Sequence, residues 1–413
     1  MPSAPGAAPR RRPVLPARAA FWVQASVLVV LLAASSAPSP LYPVYQDLWG
    51  FPPVVLTVIF AAYVVALLTA LLTVGSLSDH LGRRPVLLVA LVLEIAAMVV
   101  FVLADNETAL VAARVVQGVA TGTATGALGA YVIELEPVGR RGLGTVLTGA
   151  GPILGLAGGA VASSLIVAAA PGRIHLIYLV LLGLLVLQVV GTALGPETVK
   201  RAPGVLASLR PRVQFPPDVR RPAVWVLPAA AACWSLGGLI ISLGPSLVRS
   251  LTGSDSVVLT GLVVAALTGT GGIAILVFGS TAPHRLLAMG MSLLVAGMAV
   301  TIAALVVGSV GLYLAATVLA GVGFGTGFLG VLRTLLPRAA VHERAGLLSA
   351  IYVVSYLSHS IPAVAAGAVA GAAGLVPTAI GYAVMVIVLA LVVLVGLGRR
   401  NGSAASGRRV AEG

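Results

Sequence analysis

The sequence has 413 residues, of which 59% are hydrophobic and 9% charged, and its 25 basic against 12 acidic side chains give a formal net charge of +13. A soluble domain carries about a quarter of its residues as charges, so this composition excludes a water-soluble globular protein and marks a membrane protein.

Most of the apolar runs are about 20 residues long, which at 1.5 Å per residue crosses a hydrocarbon core of roughly 30 Å. They predict an all-α membrane protein with twelve transmembrane helices, near 19–37, 53–75, 86–104, 107–132, 143–169, 174–194, 223–248, 257–279, 284–307, 310–332, 345–370 and 376–398. The first run, preceded by arginines and followed by "AASSA", resembles a cleaved leader. The next apolar run begins only about 15 residues later, however, so an uncleaved first span is expected.

The basic residues settle which partners to expect. Arg10, Arg11, Arg12, Arg18, Arg83, Arg84, Arg140 and Arg141 fall on one side of a twelve-span chain, as do six residues within 195–222. Arg285, Arg333, Arg338, Arg344, Arg399, Arg400, Arg408 and Arg409 fall there too, which makes 22 of the 25. Only Arg173 and Arg249 fall opposite, and Arg114 lies inside the fourth span. This asymmetry is the positive-inside pattern of a bilayer protein rather than a nucleic-acid surface. It places both termini in the cytoplasm and the chain in the cell (inner or plasma) membrane, and only an even number of spans preserves it.

Cys233 is the only cysteine, which excludes an intrachain disulfide and argues against a metal cluster. The single lysine, Lys200, lies in a loop, which argues against a retinal pigment. There is no Gly-x-Ser-x-Gly elbow, no His-Glu-x-x-His and no phosphate loop ending in Gly-Lys-Ser/Thr. The expectation is therefore a non-enzyme without a cofactor, not driven by ATP within this chain.

Two glycine runs hint at a repeat. "GVATGTATG" starts at Gly118 in the fourth span and "GVGFGTGFLG" at Gly321 in the tenth, and each is followed by a loop with proline and arginine. Twelve spans then divide into six-helix halves, 19–194 and 223–398, joined by a linker at 195–222, with cytoplasmic tails at 1–18 and 399–413.

"GSLSDHLGRRP", residues 75–85, concentrates charge between the second and third spans. Gly75, Leu77, Asp79, Gly82, Arg83 and Arg84 match the signature loop of the major facilitator superfamily, whereas Ser78 and His80 depart from it. The resemblance covers essentially the whole chain. It implies the major facilitator fold, a small-molecule transporter in a lipid bilayer, and a cytoplasmic gate in this loop that latches the two halves. A carboxylate such as Asp79 suits a latch because the open N-terminus of a neighbouring helix favours an anion.

In the fourth span Arg114, Gln117 and Gly118 resemble the family's R-x-x-Q-G pattern. At 100° per residue Arg114, Gln117, Thr121 and Thr125 share one face, beside a packing stripe of Gly118, Gly122, Gly126 and Gly129. An arginine inside a span is usually functional, and the competing reading has it snorkelling to the outer surface. In the fifth span Gly151, Pro152 and Gly155 partly match the glycine-proline motif of the proton-driven drug exporters, with Leu147 and Leu156 where that motif prefers glycine. A generic kinked helix of small residues explains this run too. "PET" at Pro196–Thr198 is similar to the ends of sixth helices in several branches.

Proton coupling has four candidates. Glu94 lies mid-membrane in the third span and must be protonated, paired or watered, so a structural and a proton-carrying role both stay open. Asp47 lies near the outer end of the first span, where Trp49 suits the aromatic belt. His359 is the third, and Arg114 is the fixed charge that tunes a neighbour. Gln117, Thr121, Tyr352, Ser355 and Tyr356 are candidates to line a substrate cavity, the last three sharing a helix face with His359. Asp105, Glu107, Arg173 and Asp255 read as outer-loop charges.

The favoured expectation is a secondary active transporter working by alternating access, a monomer that exports hydrophobic or cationic compounds in exchange for protons. A symporter or uniporter for a sugar, amino acid or organic acid remains the alternative, and a polytopic enzyme or receptor the distant one.

Overall fold

Each apolar run folds as a helix because, in hydrocarbon, a segment must satisfy its own backbone N–H and C=O groups. The computed structural model describes residues 15–411 except 141, 171, 212, 255, 341 and 342, so Arg10, Arg11, Arg12, Arg141 and Asp255 lie outside the described residues. The first half of the chain contains α1 Ala17–Ser36, α2 Tyr42–Trp49, α3 Pro53–Val74, α4 Ser78–Leu81, α5 Arg83–Leu103, α6 Glu107–Glu134, α7 Leu143–Ala169 and α8 Leu176–Ala193. The linker carries the short α9, Val205–Ser208. The second half contains α10 Pro217–Ser242, α11 Gly244–Thr252, α12 Val257–Phe278, α13 Pro283–Val307, α14 Val310–Leu335, α15 Arg344–Ala373 and α16 Leu375–Ala411.

Eleven of these helices are long and apolar enough to cross a membrane. The twelfth span is α6, long enough at 28 residues but less apolar because it carries Arg114, Gln117 and a run of threonines and glycines. Two spans differ from the sequence reading. The first stops at Ser36 and continues through a 3-10 turn, Ser39–Leu41, into α2, since Pro38, Pro40 and Pro43 cannot supply the N–H groups of an unbroken helix. The seventh starts earlier, at Pro217, and breaks after Ser242, with Pro245 in the first turn of α11.

Packing repeats between the halves. In the first, α1 lies against α7 and α8, α3 against α6, and α5 against α6 and α8; in the second, α10 lies against α15 and α16, α12 against α14, and α13 against α14 and α16. The halves meet where α3 packs on α15 and α7 on α12. Between apolar helices in lipid the cohesion comes from close van der Waals fit, which small residues permit. A Cβ at Gly118 would collide with the Tyr63 carbonyl of α3, and one at Gly325 with the Gly271 carbonyl of α12. The Gly325 contact matches the one at Gly122, its counterpart in the first run, where a Cβ would collide with the Leu67 carbonyl of α3. We call the side holding residues 195–216 the linker face and the opposite side the distal face.

Candidate functional site

The first half has a polar interior. Arg114 of α6 is 0% exposed and meets three acceptors. Its Nε donates to the Tyr42 hydroxyl at 2.9 Å, its Nη1 to the Ser35 carbonyl at 2.7 Å and to Gln117 Oε1 at 2.6 Å, and its Nη2 to Tyr42 again at 2.5 Å. The rings of Tyr63, Tyr42 and Phe101 stand 5.1, 5.7 and 6.0 Å from its Cζ, within cation–π range. Burial on this scale removes the snorkelling reading. A charged arginine costs up to roughly 2.5–3.5 kcal/mol on insertion scales, the figure for a helix centre, and this shell of acceptors and rings offsets the cost for Arg114.

Gln117 carries the network onward. With Oε1 taken by Arg114, its Nε2 donates to the Ala34 carbonyl at 3.1 Å and to Glu94 Oε1 at 3.0 Å. Glu94 is also 0% exposed, and its Oε2 has no hydrogen-bond partner among the described residues. Glu94 and Arg114 are thus linked through one amide. Thr121 is buried on the same face and bonds back to the Gln117 carbonyl at 2.9 Å, whereas Thr125 is exposed.

The second half has an aromatic interior at the matching place. Aligning the glycine runs sets Gly118 against Gly321, Arg114 against Thr317, Thr121 against Phe324 and Thr125 against Phe328. Trp234 of α10 sits at the centre of a ring cluster, with centroids 4.6 Å from Tyr356, 5.4 Å from Phe328, 5.8 Å from His359 and 6.4 Å from Tyr352. Phe60 of α3 meets the His359 ring at 4.8 Å, so the cluster reaches across to the first half. His359 Nδ1 faces the Trp234 carbonyl at 2.8 Å. A carbonyl only accepts, so Nδ1 carries a hydrogen and donates it. Ser355 is buried with its hydroxyl unpartnered.

At the linker face the signature loop turns through Gly82 at φ 103°, and a Cβ there would meet the Glu197 carboxylate. That carboxylate caps α5, accepting from Arg83 N–H at 2.8 Å and Arg84 N–H at 3.1 Å, the anion-at-N-terminus arrangement that a helix dipole favours. Asp79 bonds Arg83 Nη1, and its side chain is 55% exposed. Arg83 Nη2 pairs with Glu134 at 3.0 Å, and Thr198 donates to Glu134 at 2.5 Å. Leu77 packs partly buried against the first-half core. The Gly75 carbonyl lies against Gly126, whereas Gly129 has nothing close to it. The linker touches both halves, through Ala202 N–H to the His80 carbonyl at 3.0 Å and Gln214 N–H to the Gly346 carbonyl at 3.2 Å.

At the distal face Asp47 of α2 pairs with Arg249 of α11 at 2.6 Å, and Thr260 of α12 donates to the Pro40 carbonyl at 3.2 Å. Among the described residues, the side-chain hydrogen bonds and ion pairs that join the two halves directly all lie here. Within α7, which carries Pro152 in its interior, Gly151 lies near α1, and a Cβ at Gly155 or Gly159 would collide with the Val29 or Ala33 carbonyl.

Sequence reasoning missed Tyr42, Ser35, Tyr63, Trp234, Phe328 and Arg249, because each gains its role from a helix distant in the chain. Glu197 and Thr198 carried a signal in "PET".

The fold is similar to the crystal structure of the human organic anion transporter MFSD10 (TETRAN), with a TM-score of 0.62 and 18% identity, covering 92% of this chain and 100% of that one. No curated protein matches the sequence. The family model described as Major Facilitator Superfamily matches residues 24–363, and with the twelve spans, the paired halves and the 75–85 loop it shows that the chain is a transporter belonging to the Major Facilitator Superfamily.

Proposed function

We propose that the chain exports hydrophobic or cationic compounds in exchange for protons by alternating access, with Glu94 as the proton-carrying group. The observation that carries this reading is the buried Glu94 carboxylate, one oxygen on Gln117 and the other unpartnered, joined through that amide to a fully buried arginine. An isolated carboxylate in a span is expensive, and one in reach of a fixed cation can exist in either protonation state. One charge crossing 100 mV is worth about 2.3 kcal/mol, enough to drive uphill export. Asp47, the other candidate acid, is held by Arg249 at the distal face; we assign it to closure there rather than to proton transfer.

Arginine placement supports a cytoplasmic linker face and cytoplasmic termini in the cell membrane. The half-exposed Asp79, paired within its own half, supports a loop free to latch when the linker face closes. Transport of an organic anion, the activity of the similar human transporter, is disfavoured by Arg114, whose donors are engaged by Tyr42, Ser35 and Gln117.

The test is export itself. An exporter-deficient bacterium expressing the chain is grown on a panel of toxic hydrophobic and cationic compounds, and everted vesicles are assayed for proton movement on adding each compound. Protection together with compound-driven proton release is expected. Protection without proton movement points to a uniporter and overturns the coupling, and no protection by any compound overturns export.

A further inference from the structure

The wall built around Trp234 has features that core packing does not explain. Trp234, Phe324, Tyr352 and Tyr356 are only partly buried, although they lie along the middles of α10, α14 and α15 and face the junction of the halves. The indole Nε1 of Trp234 is buried and has no hydrogen-bond partner, and the same is true of the Ser355 hydroxyl, which shares a helix face with Tyr352, Tyr356 and His359. A buried donor without an acceptor is destabilising, so an acceptor brought to this wall, beside its partly open rings, would be held there.

Charge narrows what could meet them. None of the wall residues is an acid, a lysine or an arginine, and His359 turns its Nδ1–H to the Trp234 carbonyl. Across the junction, Arg114 lies beneath Tyr63 and Tyr42 with its donors engaged, and Glu94 lies behind Gln117. An ion placed against this wall would shed its hydration without gaining a partner charge. A flat uncharged ring loses little on leaving water and gains stacking surface on Trp234, Tyr352 and Tyr356. An acceptor atom on that ring supplies what Trp234 Nε1 and the Ser355 hydroxyl lack.

We propose that the Trp234, Phe324, Tyr352, Ser355 and Tyr356 wall binds planar, uncharged aromatic molecules that carry a hydrogen-bond acceptor. The proposal rests on the exporter reading above and narrows it, since it excludes organic cations as preferred cargo and names the second half as the substrate-selecting one.

Three probes of one shape separate the cases: 1-naphthamide, 1-naphthoate and 1-naphthylmethylammonium, neutral, anionic and cationic. Their binding to the full-length chain in lipid nanodiscs is measured by titration calorimetry without any proton gradient. The amide is expected to bind at least tenfold more tightly than either ion. Trp234→Phe keeps a ring but removes the donor, and is expected to weaken the amide about five- to tenfold, the loss of one hydrogen bond. Ser355→Ala is a smaller truncation that guards against misfolding of the tryptophan variant, and is expected to weaken it severalfold. Trp22→Phe, on the exposed face of α1, is the control and should bind as wild type. An ion that binds as tightly as the amide overturns the proposal, as does undiminished amide binding in both Trp234→Phe and Ser355→Ala. Because no gradient is used, either failure leaves the Glu94 coupling standing, and loss of coupling in a Glu94 variant leaves this site standing.

Discussion

The two halves share one packing plan and differ in what fills it. Where α6 of the first half places Arg114, Thr121 and Thr125, α14 of the second places Thr317, Phe324 and Phe328. A similar offset sets Leu87, Glu94 and Met98 of α5 against Leu287, Leu294 and Met298 of α13. Glu94 and Leu294 are both fully buried at equivalent turns, so the backbone plan does not demand an acid there. The lesson is a division of labour: a scaffold set by small-residue packing carries charge handling in one half and ring stacking in the other.

The sharpest way to break that comparison is at Arg114 and its counterpart. Arg114→Met leaves Tyr42, Gln117 and the Ser35 carbonyl without their donor, and is expected to cost about 3–5 kcal/mol, as breaking a buried charged network does. Thr317→Val removes a hydroxyl that bonds only its own helix, to the Tyr313 carbonyl at 2.8 Å, and should cost no more than about 1 kcal/mol. Thermal unfolding in one detergent reads both, and equal losses would show that the first half's network carries no special weight.

Next come the glycine contacts, which the comparison predicts to be alike in both halves. Gly118→Ala pushes a methyl into the α3 backbone at Tyr63, and its counterpart Gly321→Ala pushes one into the α12 backbone at Leu267. Each should destabilise by about 1–3 kcal/mol through overpacking. A tolerant Gly118 beside an intolerant Gly321 would mean that the halves do not share one packing plan.

The two faces give the smallest effects on stability and a directional effect on conformation. Asp47→Asn breaks a partly exposed ion pair worth no more than about 1 kcal/mol, and should widen spin-label distances between α2 and α11 at the distal face. Asp79→Asn should instead disfavour the state closed at the linker face, by the roughly 1–3 kcal/mol typical of coupling between sites. It is read as a longer mean distance between the linker-face ends of α3 and α15, with surface expression unchanged. Distances unmoved in both variants would remove the gating roles.

Much of this fold was legible because bilayer physics leaves few choices. Run length predicted the spans, arginine placement required an even count, and the glycine runs pointed to paired halves. Gly82 was legible too, as part of a spaced loop, although its partner, Glu197, comes from the start of the linker, more than a hundred residues on. The clusters were legible only in part. Arg114 and Gln117 could be placed on one helix face, but Tyr42 meets them because the first span breaks at its prolines, and Trp234 meets Tyr356 through the packing of α10 on α15. Helix rotation and helix neighbours decide such meetings, and neither is written in periodicity. Glu94 was visible as an acid in an apolar run, and only three-dimensional packing could give it Gln117 as a partner.

The central claim is that the first half carries the proton and the second the cargo, and Glu94→Gln in proteoliposomes tests it most directly. Gln keeps the size and the hydrogen bond to Gln117 while removing the titratable proton. The vesicles contain a pH-sensitive dye, and a compound against which the wild type protects cells is added outside. The account predicts that wild type moves protons with the compound, while Glu94→Gln still binds it within about twofold and moves none. Wild-type proton movement in Glu94→Gln would contradict the account.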